Sequence, residues 1–332
     1  MQLLRILAFP FSLIYAFVVY IRNLLYDLGI LTSATFNTPT ICVGNLSTGG
    51  TGKTPMIEWL LKHLSGSSKL AVLSRGYKRK SKGYVLAQPI STAQDIGDEP
   101  LQIYSKFPEV AVAVAEDRIE GVKQLETTRH PDLILLDDAY QHRKVKPSFS
   151  ILLTSYGHLY AKDWYLPTGN LRDSKRASKR ANLIVVTKCP SNLDDEGQLR
   201  IISELKPEMN QQVLFCTLDY DIDLKGEKAG LSILDLKNKE VTLVTGIANP
   251  EPLLEFLKSN EILFDHREFS DHHYFSGREI NFFNSRPLVL TTEKDYMRLK
   301  NKVNNLYYIS VSHRFLGGGK EVIKKSLENL SN

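Results

Sequence analysis

The amino-acid sequence predicts an α/β fold with a mostly parallel sheet, and three observations lead to this prediction. Short, continuous apolar segments recur along the first 220 residues. Helix-compatible segments separate several of them, as is typical of a sheet covered on both faces. A glycine-rich segment, residues 44–55, lies between the first apolar segment and a helix-like stretch, Met56 to Leu64. The order of strand, glycine-rich turn and helix is that of a phosphate-binding loop.

The predicted strands of the first 220 residues are short apolar runs enriched in β-branched residues. They are Thr40–Val43, Leu70–Leu73, Val110–Val114, Leu133–Leu136, Ser150–Thr154, Leu183–Thr187 and Val213–Cys216. Because the phosphate-binding loop directly follows the first strand, the predicted core is of the P-loop NTPase type.

A second, smaller α/β domain is predicted after a polar, charge-rich stretch. Its strand-like and helix-like runs are Val241–Val244, Leu288–Thr291, Leu306–Ser310, Glu251–Lys258 and Lys294–Lys300. We therefore predict four parts of the chain. They are an apolar N-terminal helix in residues 1–30, a core domain in 31–220, a linker in 221–240 and a C-terminal domain in 241–332.

The composition of the 332-residue chain is that of a globular protein, because 42% hydrophobic residues are enough to build buried cores. The net charge of +5 is too small to predict nucleic-acid binding, but it suits an anionic membrane surface or substrate. Cys42, Cys189 and Cys216 lie far apart in strand-like contexts. We therefore expect reduced thiols and a cytoplasmic compartment.

The N-terminus is apolar from Ile6 to Ile21 and is bracketed by Arg5 and Arg22. A helix of this length reaches about 24 Å, short of a hydrocarbon core of about 30 Å, and Pro10 is expected to interrupt it. A signal peptide is disfavoured because a phosphate-binding loop belongs inside the cell. The helix can lie on the membrane or pack on the protein's own core, and we favour membrane contact.

The glycine-rich segment predicts a bound nucleoside triphosphate. Glycines let backbone N–H groups surround phosphate oxygens at the positive end of a helix. In this arrangement Lys53 can reach the β- and γ-phosphates, and Thr54 can bind Mg²⁺. The predicted nucleotide-binding residues are Ser47, Thr48, Gly49, Gly50, Thr51, Gly52, Lys53 and Thr54.

Two positions of the loop depart from related patterns. The general motif has glycine where this chain has Ser47, so the match is imperfect. Regulatory ATPases of a related kind carry an additional lysine at the position of Thr48, and this difference disfavours that class.

Carboxylates occur at two further places where a site is expected. Asp137 and Asp138 end an apolar strand, and either of them can hold Mg²⁺ directly or through water. Gln141 follows closely and either lines the same site or belongs to a turn. Asp98 and Glu99 lie between a glycine and a proline, where they can serve a site or cap a helix, and spacing alone favours capping.

His272 lies in an aromatic segment, Phe269–Phe275, that also contains Asp271. It can act as a catalytic base or orienting partner, or it can pack structurally. Two basic clusters, residues 74–82 and 172–180, follow predicted strand or loop ends. Runs of charge usually form solvated faces, but at this edge of a parallel sheet they can also recognise an anionic substrate or headgroup.

Taken together, these segments resemble the tetraacyldisaccharide 4′-kinases, the lipid A 4′-kinases of Gram-negative bacteria. The resemblance covers nearly the whole chain, and the family tolerates a hydroxyl residue at the position of Ser47. After the apolar N-terminus, the matching segments are GNLSTGGTGKTP, SRGY, GDEP, Asp117-Arg118, LLDDAYQH, LPTGNLRD, FSDHH and TTEKD.

The resemblance implies transfer of the γ-phosphate of ATP, with Mg²⁺, to the 4′-hydroxyl of a tetraacylated glucosamine disaccharide 1-phosphate. The product is the bis-phosphorylated lipid IVA of lipopolysaccharide biosynthesis. The implied location is the cytoplasmic side of the inner membrane, with the acylated lipid as partner and no nucleic acid or protein partner.

The resemblance also implies roles for individual residues. Asp98 corresponds to the proposed base, His272 to its support and Lys53 to the phosphate-binding lysine, while Thr54, Asp137 and Asp138 correspond to the Mg²⁺ site. Further active-site candidates are Tyr77, Glu99, Arg118, Gln141 and Arg172. Asp173 stands where the family commonly has glutamate.

One alternative from another class is a membrane-associated P-loop ATPase that acts as a nucleotide switch or assembly factor. It would use the same loop without modifying a lipid. Thr48 and the acid at Asp98 disfavour this alternative.

Overall fold

The computed structural model describes residues 5, 7–64, 66, 68–226 and 230–328, and it contains two mostly parallel sheets. The sequence-based prediction of an α/β fold is thereby confirmed. The strands of the first, nine-stranded sheet are β1 (Thr40–Asn45), β2 (Leu70–Ser74), β3 (Val85–Leu86), β4 (Ala111–Val114), β5 (Leu133–Asp137), β6 (Phe149–Ser155), β7 (Leu183–Thr187), β8 (Gln212–Tyr220) and β14 (Val311–Phe315). The strands of the second, five-stranded sheet are β9 (Lys225–Gly226), β10 (Val241–Thr245), β11 (Phe264–Glu268), β12 (Val289–Thr292) and β13 (Leu306–Ile309).

Helices flank both sheets in the described residues. They are α1 (Phe9–Asp27), α2 (Lys53–Leu64), α3 (Ala93–Ile96), α4 (Asp98–Lys106), α5 (Arg118–Arg129), α6 (Asp195–Leu205), α7 (Glu251–Ser259), α8 (Gly277–Asn284), α9 (Glu293–Leu299) and α10 (Gly319–Glu328). Short 3₁₀ turns occur at Tyr160–Lys162, Lys175–Arg180 and Ile233–Leu236.

The first sheet has the strand order β14-β8-β7-β6-β1-β5-β2-β4-β3, and only the two edge pairs are antiparallel. Side chains of α2, α4 and α10 pack in one apolar cluster with the sheet, and side chains of α5 and α6 pack in a second. The central strands β1, β5 and β6 are buried along their whole length, as expected of a sheet covered on both faces. Their carboxyl ends therefore meet at one edge, where the glycine-rich loop begins.

The second sheet has the order β11-β10-β12-β13-β9, in which only the short β9 is antiparallel. Helix α7 contributes to an apolar cluster with Leu243 and Leu290, and α8 and α9 contribute to another with Val289. We refer to the first sheet with its helices as the first unit and to the second sheet with its helices as the second unit.

Sheet membership differs from the predicted division of the chain in two places. Strand β9 and the turn Ile233–Leu236 lie within the predicted linker 221–240, yet β9 pairs with β13 of the second unit. Strand β14 lies within the predicted domain 241–332, yet it pairs with β8 of the first sheet. Because the edge of a sheet can be completed by any later segment, residue order does not reveal this return of the chain. Positions 227–229 of the predicted linker lie outside the described residues.

Helix α1 corrects the expectation for Pro10. The predicted apolar segment starts at Ile6, outside the described residues, but Pro10 occupies the first turn of α1, where proline is tolerated. It therefore begins the helix instead of interrupting it. Helix α1 has the length and composition needed to cross a membrane, with a mean hydropathy of 1.4 and 11% of that stretch buried. Over 19 residues it is about 28 Å long.

Candidate active site

The glycine-rich loop joins β1 to α2, as the sequence predicts. Gly49 and Gly52 have φ values of 110° and 82°, a region that side-chain-bearing residues rarely adopt. The side chain of Asn45 donates a hydrogen bond of 2.8 Å to the hydroxyl of Thr51, which fixes the loop from within. Helix α2 begins at Lys53, so the backbone N–H groups of its first turn face the loop and can bind an anion.

Neighbouring segments hold the loop from two sides. The hydroxyl of Ser47 donates to Asp163 at 3.0 Å, and the backbone N–H of Thr48 donates to the carbonyl of Asn170 at 2.7 Å. The imidazole of His313, on β14, donates from Nε2 to the carbonyl of Gly52 at 2.9 Å. Ser47, the residue that departs from the general motif, thus forms a specific side-chain contact that glycine cannot form.

The two aspartates at the end of β5 have different environments. Asp137 is buried, accepts a hydrogen bond of 3.0 Å from Ser74, and burial together with the charges of Glu99 and Asp138 raises its pKa. Burial also acts on Asp138, but the charges of Lys53 and Arg172 outweigh it and lower the pKa of Asp138 below its usual value. The Nζ atom of Lys53 lies 3.8 Å from Oδ1 of Asp138. The loop lysine and the strand-end carboxylates therefore face the same space.

Arg172 and Gln141 lie at the same edge of the sheet. The guanidinium of Arg172 donates to both carboxylate oxygens of Asp138, at 3.1 Å from Nη1 to Oδ2, and also to the side chain of Asn45. Gln141 donates to the backbone carbonyl of Asn45. Both predicted candidates are thus in contact with the loop.

Arg118 begins α5 and is nearly fully buried. Its Nη1 atom donates to the carbonyl of Ala115 at 2.5 Å, whereas Nε and Nη2 have no hydrogen-bond partner among the described residues. Burial lowers the pKa of this guanidinium to about 10, although Asp137 counteracts the shift. Free donors on a buried cation favour contact with an anionic group.

Asp98 and His272 come from different units and form a hydrogen-bonded pair. Gly97 takes the N-cap position of α4, so Asp98 does not act as the cap that its spacing favoured. The Nδ1 atom of His272 lies 2.8 Å from Oδ2 of Asp98. Burial raises the pKa of Asp98, but hydrogen bonds and charges from His272 and Arg298 outweigh it and lower the pKa to about 2.

The backbone of His272 has a φ of 63°, a strained value for a residue with a side chain. The carbonyl of Gly246 accepts from its backbone N–H at 3.2 Å, and its ring packs edge to face on Tyr77 with centroids 5.3 Å apart. Its Nε2 atom lies 3.0 Å from Nζ of Lys294, which in turn lies 3.7 Å from Glu99. Tyr77 and Glu99 thus join the pair.

These contacts connect the two groups of predicted residues. Glu99 contacts Lys294 near His272, and its charge also acts on Asp137 beside the loop. Glu99 therefore links the Asp98–His272 pair, at the contact between the two units, to the carboxylates beside the loop. Sequence reasoning missed Arg298 and Lys294, although both lie on α9, which begins within the TTEKD segment and carries Arg298 one helical turn after Asp295.

The buried oxygen Oδ1 of Asp137 has no hydrogen-bond partner within the described part of the chain. A buried carboxylate oxygen without a donor is suited to a cation, and Thr54 lies in the first turn of α2, directly after the loop. No group of three or more His, Cys, Asp and Glu side chains in the described residues could hold a metal by itself. These residues fit a Mg²⁺ ion that would be bound together with a nucleotide, because Mg²⁺ is commonly held by one or two carboxylates together with substrate phosphates.

The strand, loop, helix and strand-end carboxylates define a P-loop nucleotide-binding protein as the class of this protein. Comparisons with known proteins identify the family. The model of the family "Tetraacyldisaccharide-1-P 4'-kinase" matches residues 4–331. The chain therefore belongs to this family, which confirms the predicted function, 4′-phosphorylation of such a disaccharide in lipid A synthesis, and the predicted enzyme class, a kinase.

Individual relatives agree with this membership. The tetraacyldisaccharide 4'-kinase of Flavobacterium johnsoniae is 50% identical over 325 residues, covering 95% of this chain and 94% of the relative. That of Bacteroides thetaiotaomicron is 46% identical over 313 residues, covering 88% and 82%. The crystal structure of LpxK from Aquifex aeolicus in complex with ATP has a TM-score of 0.82 at 28% identity, covering 99% of this chain and all of that one.

Proposed function

We propose that a cleft where the two units meet binds ATP and the disaccharide lipid, and that the γ-phosphate is transferred there to the lipid's 4′-hydroxyl. The observation that carries this proposal is the buried Asp98–His272 pair, whose neighbour Glu99 acts through its charge on Asp137 beside the phosphate-binding loop. Phosphoryl transfer needs in-line positioning, charge neutralisation and a base near the attacking hydroxyl. Family membership and the ATP complex of the Aquifex aeolicus protein support ATP as the donor.

In this proposal Asp98 accepts the proton of the 4′-hydroxyl. A carboxylate can accept about four hydrogen bonds, and the described contacts use three of them, one on Oδ1 and two on Oδ2. Oδ1 therefore keeps a lone pair for the hydroxyl. His272 holds the orientation of the carboxylate, and the buried surroundings exclude water from it.

Lys53 and the loop backbone bind the phosphates of ATP, and Thr54 and Asp137 or Asp138 hold Mg²⁺. When bound, Mg²⁺ neutralises charge on the β- and γ-phosphates. We assign Arg118 to an anionic group of the bound substrates because its buried Nε and Nη2 atoms have no hydrogen-bond partner among the described residues. Arg172 and Gln141 support the loop, and Tyr77 and Glu99 line the cleft beside His272.

Helix α1 places this cleft at a membrane in our proposal. Its exposed face consists of large apolar side chains, and its other face contacts the 165–173 segment through Ser12, Tyr15 and Asn23. An acylated substrate resides in a bilayer, and a helix lying at the interface would hold the cleft beside it. ATP is cytoplasmic, so we propose the cytoplasmic side of the inner membrane.

A lipid phosphorylation assay tests the proposed reaction. Purified protein is incubated with ATP, Mg²⁺ and tetraacyldisaccharide 1-phosphate, and mass analysis is expected to show one added phosphate. Lys53→Ala is expected to lower turnover by about 10²–10³-fold, as does loss of one charge-stabilising donor in other enzymes. Nucleotide binding without any lipid product would instead favour a nucleotide switch and refute the kinase reaction.

A further inference from the structure

Arg298 is the closest cationic side chain to Asp98, and it comes from the second unit. Its Nε atom donates to Oδ1 of Asp98 at 3.0 Å, and its Nη2 atom donates to Oδ2 at 2.5 Å. The side chains of Arg298 and Asp98 are only 4% and 8% exposed. A bidentate ion pair of this kind fixes the orientation of the carboxylate plane and also stabilises its ionised form.

The same guanidinium also contacts the segment that carries His272. Its Nη1 atom donates to the backbone carbonyl of His273 at 3.4 Å and to Asp295 at 3.1 Å. Asp295 is fully buried and accepts a hydrogen bond of 2.8 Å from the backbone N–H of Gly246. Since Gly246 binds the strained backbone of His272, Arg298 and Asp295 together determine where the imidazole lies relative to Asp98.

The donors of Arg298 are bonded to protein groups, so the proposed reaction gives this residue no direct contact with substrate. We propose that Arg298 is a positioning residue that joins Asp98 of the first unit to His272 of the second and keeps the carboxylate ionised in the geometry needed to accept a proton. This inference deepens the proposed function and rests on it for the identity of the base.

The contact with Arg298 affects the pKa of Asp98, and this effect can be measured. The charged or titratable neighbours of the pair are Glu99 on α4, Asp271 beside His272, Lys294, Asp295 and Arg298 on α9, and Tyr77 against the ring. Arg298 contributes both a hydrogen bond and its charge to the low pKa of Asp98. Without Arg298 the pKa of Asp98 rises. On acidification, Asp98 therefore becomes protonated at a higher pH.

Arg298→Met is the main test variant, and Arg298→Lys keeps the positive charge but loses the bidentate geometry of the guanidinium. We expect Arg298→Met to lower kcat/KM by about 10²-fold, as a misplaced catalytic group does. The acidic limb of the pH profile of kcat/KM should move to higher pH, and Arg298→Lys should show smaller changes in the same direction. The dissociation constant of ATP should change by less than about twofold, because Arg298 does not contact the loop. The matched control is Arg267→Met, which removes an exposed ion pair with Asp265 in the second unit.

A double-mutant cycle separates positioning from a structural role. If Arg298 acts through Asp98, Arg298→Met has less than about a twofold further effect on turnover in an Asp98→Asn protein. An unchanged pH profile in Arg298→Met, or losses that multiply in the double variant, would overturn the inference. If Arg298→Met does not fold, the pH profile of Arg298→Lys decides the question by the same criteria.

Failure of the proposed reaction can be told apart from failure of this inference. If the wild-type protein does not phosphorylate the lipid, the reaction is wrong. The contact is then tested without catalysis by nuclear magnetic resonance, following the side-chain carboxyl carbon of Asp98 during a pH titration. Arg298→Met or Arg298→Lys must raise its pKa, whereas an unchanged titration overturns the inference.

Discussion

At the scale of single residues, Asp98 differs from Asp137 and Asp138 in its hydrogen-bond donors. Asp98 is bonded by side chains of the second unit, while the other two aspartates face Lys53 and Ser74 of the first. Burial alone would raise the pKa of all three carboxyl groups, but the partners of Asp98 and Asp138 lower their pKa values, whereas the pKa of Asp137 stays raised. The three carboxylates thus become chemically distinct although the sequence presents them alike.

The role of Asp98 is tested by its removal. Asp98→Ala is expected to lower turnover by about 10²–10⁴-fold, the range typical of losing a general base. Turnover is measured in the lipid phosphorylation assay at saturating ATP, with Asp265→Ala as a control for loss of an exposed carboxylate. Near-normal turnover of Asp98→Ala would remove this residue as the base.

His313 gives a prediction for stability against pH. Burial lowers the pKa of this imidazole from its usual value near 6.5 to about 4, so the folded protein holds it neutral. The unfolded chain binds the proton more readily, and the free energy of unfolding therefore falls as the pH drops from about 6.5 to 4. The loss from this residue is about 3 kcal/mol. His313→Gln should flatten the dependence of the urea midpoint on pH in this window, and the exposed His130→Gln should leave it as in the wild type.

Residue types alone identified the loop, the strand-end aspartates and the family, because these features lie in continuous segments. Because 174 positions separate Asp98 from His272, only the family resemblance led us to expect both residues at one site. Arg298 was not identified, because an arginine on a short helix has the same local pattern whether it faces solvent or a carboxylate. Its role appears only when α9 is placed against α4. The catalytic roles of these residues stay predictions until the variants are measured.

At the scale of elements, α1 presents two faces of different character. Ser12, Val19 and Asn23 are buried against the first unit, while Phe11, Phe17 and other large apolar side chains are exposed. Polar side chains inside and apolar ones outside invert the pattern of a helix in water. This inversion supports our proposal that a bilayer covers the outer face.

A charge on the exposed face tests that proposal. The side chain of Phe17 is 64% exposed. Phe17→Glu is expected to weaken binding to phosphatidylethanolamine and phosphatidylglycerol vesicles, measured by sedimentation, by about 10–100-fold. The reason is that burying such a side chain stabilises the bound state by about 1.5–3 kcal/mol. The matched control is Leu199→Glu, at an equally exposed position on α6. Equal vesicle binding by the Phe17→Glu and wild-type proteins would contradict membrane contact through this face.

At the scale of the whole molecule, a buried ion network joins the two units through Lys106. Its Nζ atom lies 2.5 Å from Glu58, on the helix that follows the glycine-rich loop, and 3.0 Å from Glu293 on α9 of the second unit. Gln102 donates to Glu58 at 2.7 Å and completes the network. One ammonium thus compensates two largely buried carboxylates, and burial together with the charge of Glu58 raises the pKa of Glu293 to about 7.

Removal of this ammonium should destabilise the protein. Lys106→Met leaves both carboxylates without their cation, and the expected cost is about 3–5 kcal/mol, as for other broken buried pairs. Lys162→Met, which removes a mostly exposed pair with Glu204, should cost less than about 1 kcal/mol. Urea unfolding followed by circular dichroism measures both. A similar small shift of the urea midpoint for the two variants would show that the network does not hold the units together.

The sequence by itself determined the α/β class, the phosphate-binding loop and the family, because apolar periodicity and short motifs record local geometry and local chemistry. Only the tertiary structure decided that β14 returns to the first sheet and that Lys106 and Arg298 join the units. These pairings depend on which surfaces meet in space. The free energy of a buried charge is set by such neighbours and not by its position along the chain.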